Sequence, residues 1–259
     1  MTLDPVRFST IAHLDIAILN PVGDRTLSEV AGRLRLPARG RVLDVGCGRG
    51  EWLIRLLERY RARGVGIDRS ALLIDDARAR ARLRGVEDRV DFHVADARVF
   101  PIPPGTFDVA ICLGATHALG LRDGALRALA RAVRPGGQIV VGEGYWKTEP
   151  DPDYLALLEA ERDEFTDHEG NSRAGRDVGL SLEAKWASSE AEWDAYEGAY
   201  AGGIRRYLSA HPDDPDADAM RERVDRWERG YQRWGRSTLG FGIYLFRTPH
   251  APIPASDHP

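Results

Sequence analysis

Residues 42–50 read Val-Leu-Asp-Val-Gly-Cys-Gly-Arg-Gly, and no other stretch restricts the fold as strongly. A buried apolar strand runs into three glycines at alternate positions, Gly46, Gly48 and Gly50, and a helix begins at once near Glu51. Glycines there let the backbone turn sharply and let a ligand lie against the main chain with no Cβ in the way. The helix that follows offers its free N–H groups to the same ligand. The spacing differs from the dinucleotide pattern G-x-G-x-x-G. Asp44, two residues upstream, would repel a pyrophosphate but suits an ammonium group.

Two further strands reinforce this reading. The helix after the loop carries Trp52, Leu53, Leu56, Leu57 and Tyr60 at helical spacing, and residues 64–68 then form a short strand ending in Asp68. Asp68 lies 18 positions beyond Gly50, near the offset of about 20 at which a ribose-binding acid follows a nucleotide-binding glycine loop. A second helix spans 70–84, with Ser70 as N-cap and Gly85 as stop. Residues 90–95 make a third strand, followed by Asp96. Three successive strands therefore each end in a carboxylate.

At this point the chain resembles the class I S-adenosylmethionine-dependent methyltransferases over roughly residues 40–145. The resemblance implies that Asp44, Gly46, Gly48 and Gly50 hold the methionine portion of the cofactor. It implies that Asp68 meets the ribose hydroxyls and that Asp96 with Ala97 meets the adenine edge, with Cys47 and Arg69 also among the cofactor-binding residues. Residues 107–114 look like the family's fourth strand, whose end at Leu113 faces the methyl group. Arg134-Pro-Gly-Gly137 looks like the turn before its fifth. Residues 8–13, Phe-Ser-Thr-Ile-Ala-His, and 142–146, Gly-Glu-Gly-Tyr-Trp, are similar to a little-characterised bacterial branch, which implies a small-molecule acceptor.

The expected fold is α/β and Rossmann-like: a seven-stranded, mostly parallel sheet with helices on both faces. Strands are expected near 41–46, 64–68, 90–95, 107–113 and 137–142, with a helix over 122–133. An N-terminal helical cap covers 1–40, where Thr26-Leu-Ser-Glu29 reads as a capping box. The cofactor core spans 41–149 and an acceptor-side helical segment 150–236. In that segment we expect a helix near 153–165, a loop at 168–172 and a sixth strand within 178–187. Ser189-Glu-Ala-Glu192 reads as a second capping box. It opens a helix with Trp193, Tyr196, Tyr200, Ile204 and Tyr207 on one face. A second helix bears Met220, Val224, Trp227, Tyr231 and Trp234. The two form a hairpin inserted before an antiparallel last strand in 237–248, and the tail 249–259 is expected to be disordered.

Composition bounds the function. The chain has 259 residues and net charge −4, so no basic footprint points to nucleic acid. Two cysteines, Cys47 and Cys112, make no disulfide framework, and with no leader-like start or apolar span they point to the cytoplasm, away from membranes.

Methyl transfer from a sulfonium is an in-line displacement that alignment and water exclusion can largely drive. A base is needed only for an acceptor still carrying its proton. His117, Glu143 and Tyr145 follow strands four and five and are the catalytic candidates. His117 reads equally as a helix-capping histidine, and Glu143 as a loop-bonding acid. Trp146, Trp193, Tyr196 and Tyr200 are candidates for the acceptor wall, or else core packing. His13 belongs to a segment that often closes over the cofactor; a structural role is the plainer reading. Trp227, Tyr231 and Trp234 are core or a homodimer contact. No metal site is expected. The leading function is a small-molecule methyltransferase yielding S-adenosylhomocysteine. A nucleic-acid or protein methyltransferase lacks support, because residues 113–117 carry no Asn/Asp-Pro-Pro-aromatic run. A sensor or scaffold without transfer activity is a further alternative, and an NAD-dependent oxidoreductase fits the glycine spacing poorly.

Overall fold

The computed structural model describes residues 4–250. Its sheet is built from β1 (Arg41–Val45), β2 (Arg63–Asp68), β3 (Val90–Val94), β4 (Phe107–Leu113), β5 (Val133–Trp146), β6 (Ser181–Ala187) and β7 (Leu239–Arg247). The spatial order is β3-β2-β1-β4-β5-β7-β6. The first five strands are parallel, and β7 runs antiparallel to both β5 and β6. The strand order reverses at β1, between β2 and β4, and at such a switch point the loops beyond the strands diverge and leave a crevice.

Helices α2 (Asp24–Arg33), α3 (Glu51–Tyr60) and α4 (Ala71–Leu83) cover one face through Leu27, Val30, Leu53, Leu57, Ile74 and Ala77. Helices α5 (Leu121–Ala132) and α7 (His168–Asp177) cover the other through Leu126, Leu129, Ala174 and Val178. The central strands β1, β4 and β7 are buried almost throughout, as a sheet covered on both sides requires, whereas β3 and β6 at its edges are partly exposed. A third cluster stands apart from the sheet. There α1 (Pro5–Ala12) packs Phe8, Ile11 and Ala12 onto Ile204, Leu208, Met220 and Val224 of α8 (Glu190–Ala210) and α9 (Ala217–Gly230). The N-terminal forty residues are thus divided: α2 belongs to the sheet and α1 to the helical hairpin.

Several local expectations are corrected. Helix α2 starts at Asp24 with Gly23 as N-cap and no side-chain cap. Thr26 does not cap it, because its hydroxyl donates to Glu192 Oε1 at 2.8 Å, the oxygen that also accepts from Gly23 N at 2.7 Å. The other carboxylate oxygen of Glu192 completes the expected capping box with Ser189. Strand β5 continues to Trp146 because β7 pairs with it as far as Trp146↔Leu239; Glu143, Tyr145 and Trp146 therefore lie within the strand. The expected helix 153–165 stops at Leu158, where Glu159 turns left-handed at φ 54°, and α6 covers only Pro152–Leu158.

Residues 168–172 are helical. Gly170, Asn171 and Ser172 are poor helix formers in isolation, but Asp167 caps the helix by accepting from Gly170 N. Asn171 Nδ2 donates to Gly144 O at 3.0 Å, and Gly175 lies so near Phe246 that a Cβ would come within 2.1 Å of its ring. Close packing on the sheet selects the small residues that locally resemble a loop. The expected disordered tail falls largely outside the described residues, although Pro249 O accepts from Gly136 N at 2.9 Å.

Candidate active site

A cavity of ≈ 390 Å³ opens at the carboxyl ends of β1, β2 and β4, with Asp44, Gly46, Cys47, Gly48, Asp68, Arg69, Leu113 and His117 in its wall. Gly46 and Gly50 hold left-handed φ of 71° and 66°. A Cβ at Gly46 would stand 2.3 Å from the Ala115 methyl, and one at Gly50 2.5 Å from the Phe92 ring. The loop is braced from β2: Gly46 N and Cys47 N both donate to Ile67 O, at 2.8 and 3.1 Å. Asp68 accepts from Gly48 N and Ser70 N, each at 2.9 Å, so each oxygen keeps further acceptor capacity.

Asp44 is buried, and no donor among the described residues is hydrogen-bonded to its carboxylate. Desolvation, with Asp68 adding repulsion, raises its pKa to about 7. A carboxyl lacking a protein cation, in the wall of a cavity, is matched by a cationic ligand, which would return it to the ionised form. The glycine cradle, Asp44 and Asp68 together fit a ligand that joins an ammonium-bearing chain to a ribose. The Cys47 thiol is pushed well up by burial and is inert as a nucleophile.

Asp96 is turned from the cavity onto Arg98, whose backbone N and Nε each reach Oδ1 at 3.0 Å, holding its carboxyl well below the usual range. Its neighbours Ala95 and Ala97 line the cavity instead. The lining also includes Ala17, Ile18, Leu19 and Asn20, which composition alone did not single out. Asn20 Nδ2 donates to Leu113 O at 3.2 Å, so this segment closes the cavity against β4. The only sequence hint was the run of apolar residues ending in Asn-Pro after His13.

His117 sits in a 3-10 turn, Thr116–Leu119, and faces the cavity. Thr116 Oγ1 donates to Glu143, which also accepts from Gly144 N at 3.1 Å. Burial raises the pKa of Glu143. Glu143, Tyr145 and Trp146 are absent from the cavity wall. The Tyr145 ring covers Gly240 and lies 4.8 Å from His168, and Trp146 Nε1 donates to Arg162 O at 2.8 Å with its ring against Phe165.

Trp193, Tyr196 and Tyr200, expected in the acceptor wall, are likewise absent from the cavity lining; Tyr196 and Tyr200 of α8 instead meet His13. His13 Nδ1 lies 2.7 Å from Ser9 O, and a carbonyl only accepts, so Nδ1 carries the proton. Burial lowers the His13 pKa, keeping the ring neutral. Its Nε2 is then an acceptor for the Tyr196 hydroxyl at 2.9 Å. Trp193 stacks on Tyr231 at 6.3 Å, Trp227 Nε1 donates to Glu197 at 2.7 Å, and Trp234 stacks on Tyr154 at 6.2 Å. The second aromatic stripe is engaged within the chain.

The sheet order, the glycine cradle and the acid at the end of β2 define a Rossmann-like nucleoside-binding enzyme, and comparison with known proteins narrows the class. A family profile described as "Methyltransferase domain" matches residues 42–137. The chain is 32% identical to the uncharacterized protein YjhP of Escherichia coli, over 93% of this chain and 98% of that one. A solved S-adenosylmethionine-dependent methyltransferase from Geobacter sulfurreducens, in complex with S-adenosylhomocysteine, is 33% identical. It superposes with a TM-score of 0.88, covering 95% of this chain and 99% of that one. The 27-O-demethylrifamycin SV methyltransferase of Amycolatopsis mediterranei is 38% identical over 49% of this chain, which spans only 47% of that enzyme. The chain belongs to the class I S-adenosylmethionine-dependent methyltransferases, and S-adenosylmethionine is its cofactor.

Proposed function

We propose that this methyltransferase acts on a small-molecule acceptor, at O, N, C or S, and that His117 stands at the reaction centre. One observation carries the reading: a single cavity of ≈ 390 Å³ is lined both by the glycine cradle with Asp44 and Asp68 and by His117 with residues 17–20. Its size lies in the range of small-molecule sites, ~300–1,000 Å³. The small-molecule substrate in the name of the rifamycin enzyme supports the same class, and the net charge of −4 disfavours a polyanionic acceptor.

S-adenosylmethionine supplies an electrophilic methyl group on a cationic sulfur. The residues of the chain bind and align. Asp44 takes the ammonium and Asp68 the ribose hydroxyls, while Ala95 and Ala97 flank the base. The segment 17–20 closes against Leu113 and keeps water out. His117 orients the acceptor and, where the attacking atom carries a proton, accepts it at an imidazole nitrogen. Glu143, bonded to Thr116, fixes the turn that carries His117 and has no contact with the cavity.

The test is label transfer from S-adenosylmethionine to a panel of hydroxylated, amine-bearing and thiol-bearing small molecules, with oligonucleotides and unfractionated protein alongside. Labelled small molecules are expected. Label confined to nucleic acid or protein would overturn the reading, and tight cofactor binding with no transfer to any class would favour a sensor or scaffold.

A further inference from the structure

The opposite end of the sheet carries a second concavity, of ≈ 700 Å³, lined by Ala38, Arg39, Arg61, Arg63 and Arg89. Arg39 precedes β1, Arg61 caps α3, Arg63 opens β2 and Arg89 directly precedes β3. The parallel pairing of β1, β2 and β3 brings their amino ends side by side, so topology gathers arginines that are scattered in sequence.

Local structure does not favour arginine at these positions. Arg39 and Arg61 adopt left-handed φ of 63° and 52°, a region where a Cβ crowds the carbonyl and where Gly or Asn is the usual occupant. Arg63 is paired directly across from Arg41, and like charges in that relation repel. Among the described residues no carboxylate forms an ion pair with Arg39, Arg41, Arg61, Arg63 or Arg89, although Glu87 and Asp88 are adjacent in sequence to Arg89. Arginines elsewhere are often doubly paired, as Arg84 is with Glu51 and Glu58, and Arg205 with Asp225 and Glu228.

The carboxyl end of α3 attracts cations, and this accounts for Arg89, whose Nη1 donates to Leu57 O. The Arg41 guanidinium lies over the Phe107 ring, 5.4 Å from its centroid. Arg39, Arg61 and Arg63 remain exposed and without such partners.

We propose that this hollow binds the phosphoryl groups of a small polyanion of the pyrophosphate or nucleoside-polyphosphate type, at a site separate from methyl transfer. Guanidinium forks stay charged and match phosphate oxygens in pairs. The cations converge on one hollow and form no stripe, and a chain of net charge −4 repels a long nucleic acid elsewhere on its surface. Asp44 is three residues along β1 from Arg41, on the order of 10 Å of strand, so the two sites lie at opposite ends of the parallel strands.

Calorimetric titration of the full chain with inorganic pyrophosphate tests this, with and without saturating S-adenosylhomocysteine, on the wild type and on Arg39→Gly/Arg61→Gly. Glycine accepts both left-handed conformations, so this variant is expected to keep its melting temperature and its affinity for S-adenosylhomocysteine. The wild type should bind one pyrophosphate whether or not the cleft is filled, more weakly as salt rises, and at least tenfold more tightly than the variant. If the double variant fails to fold, Arg63→Gln should show the same weakening. Absence of binding, unchanged binding in the folded variants, or displacement by S-adenosylhomocysteine would each overturn the proposal. Tighter binding of a short single-stranded oligonucleotide would overturn it in favour of a nucleic-acid surface.

Discussion

The floor of the cleft and the aromatic layer of the helical hairpin are made in different ways. The floor is largely main chain: Gly46, Gly48 and Gly50 shape it, Ile67 O braces it, and Asp44 and Asp68 project from strand ends. The aromatic layer is side chains: His13, Tyr196, Tyr200, Trp193 and Tyr231 interlock between the turn after α1, α8 and the turn after α9. A main-chain site tolerates almost no change at a few positions, whereas a layer of side chains spreads its stability over many partial contacts. Variants at the floor should therefore fail sharply and variants in the aromatic layer gradually.

The largest effect is expected within the cleft, at His117. His117→Ala should lower turnover by ~10²–10⁴-fold if the acceptor is deprotonated there, with affinity for S-adenosylhomocysteine nearly intact. Loss confined to cofactor binding would make His117 part of the cofactor-holding floor. Gly50→Ala comes next. It combines a left-handed φ with a Cβ 2.5 Å from Phe92, and by the usual costs of such strain and overpacking it should destabilise the chain by ~2–4 kcal/mol. A melting temperature unchanged by thermal unfolding would break the account of the loop. Asp68→Ala should weaken S-adenosylhomocysteine by about 1–3 kcal/mol, the cost of unpaired donors, as read by calorimetry.

A pH series sharpens the floor further. In the free protein Asp44 titrates at about 7 because it is desolvated and near Asp68. Below that pH an incoming ammonium must displace a proton, so affinity for S-adenosylhomocysteine should fall by up to about tenfold per pH unit. The sign reverses for stability: a raised carboxyl contributes most below its unfolded value and loses that contribution as pH rises through about 7. Bound cofactor should flatten this decline. The smallest effect belongs to the aromatic layer. Tyr196→Phe removes one hydrogen bond to His13 and should cost about 1 kcal/mol of stability. A loss several times larger would show that the aromatic layer is as brittle as the floor.

The same contrast explains what could be read from the sequence. Strands ending in Asp44, Asp68 and Asp96 and the glycines between them are local signals, each set by backbone geometry within a few residues. The turning of Asp96 onto Arg98 was not legible, because an acid at a strand end reads the same whether it faces a ligand or a nearby arginine. Tyr145 read as catalytic and Trp146 as a wall residue only while β5 was expected to stop before them; pairing with β7, about a hundred residues away, carries the strand past both and directs them to Gly240, His168, Phe165 and Arg162. Likewise Thr26 mimicked a cap because its partner, Glu192, belongs to a distant helix. The segment 17–20 carries no chemical signature of its own and becomes part of the site only when Asn20 reaches Leu113 O.

The hairpin of α8 and α9 leaves the sheet after β6 and returns at β7, two neighbouring antiparallel strands in which Ala187 pairs with Gly242. Its two points of attachment thus nearly coincide. A segment with coincident ends behaves as a cassette: it can be lengthened, trimmed or exchanged at a closure cost that grows only logarithmically with length. The cofactor grip of β1 and β2 lies outside this cassette, so such an exchange would leave the framework of the cleft in place.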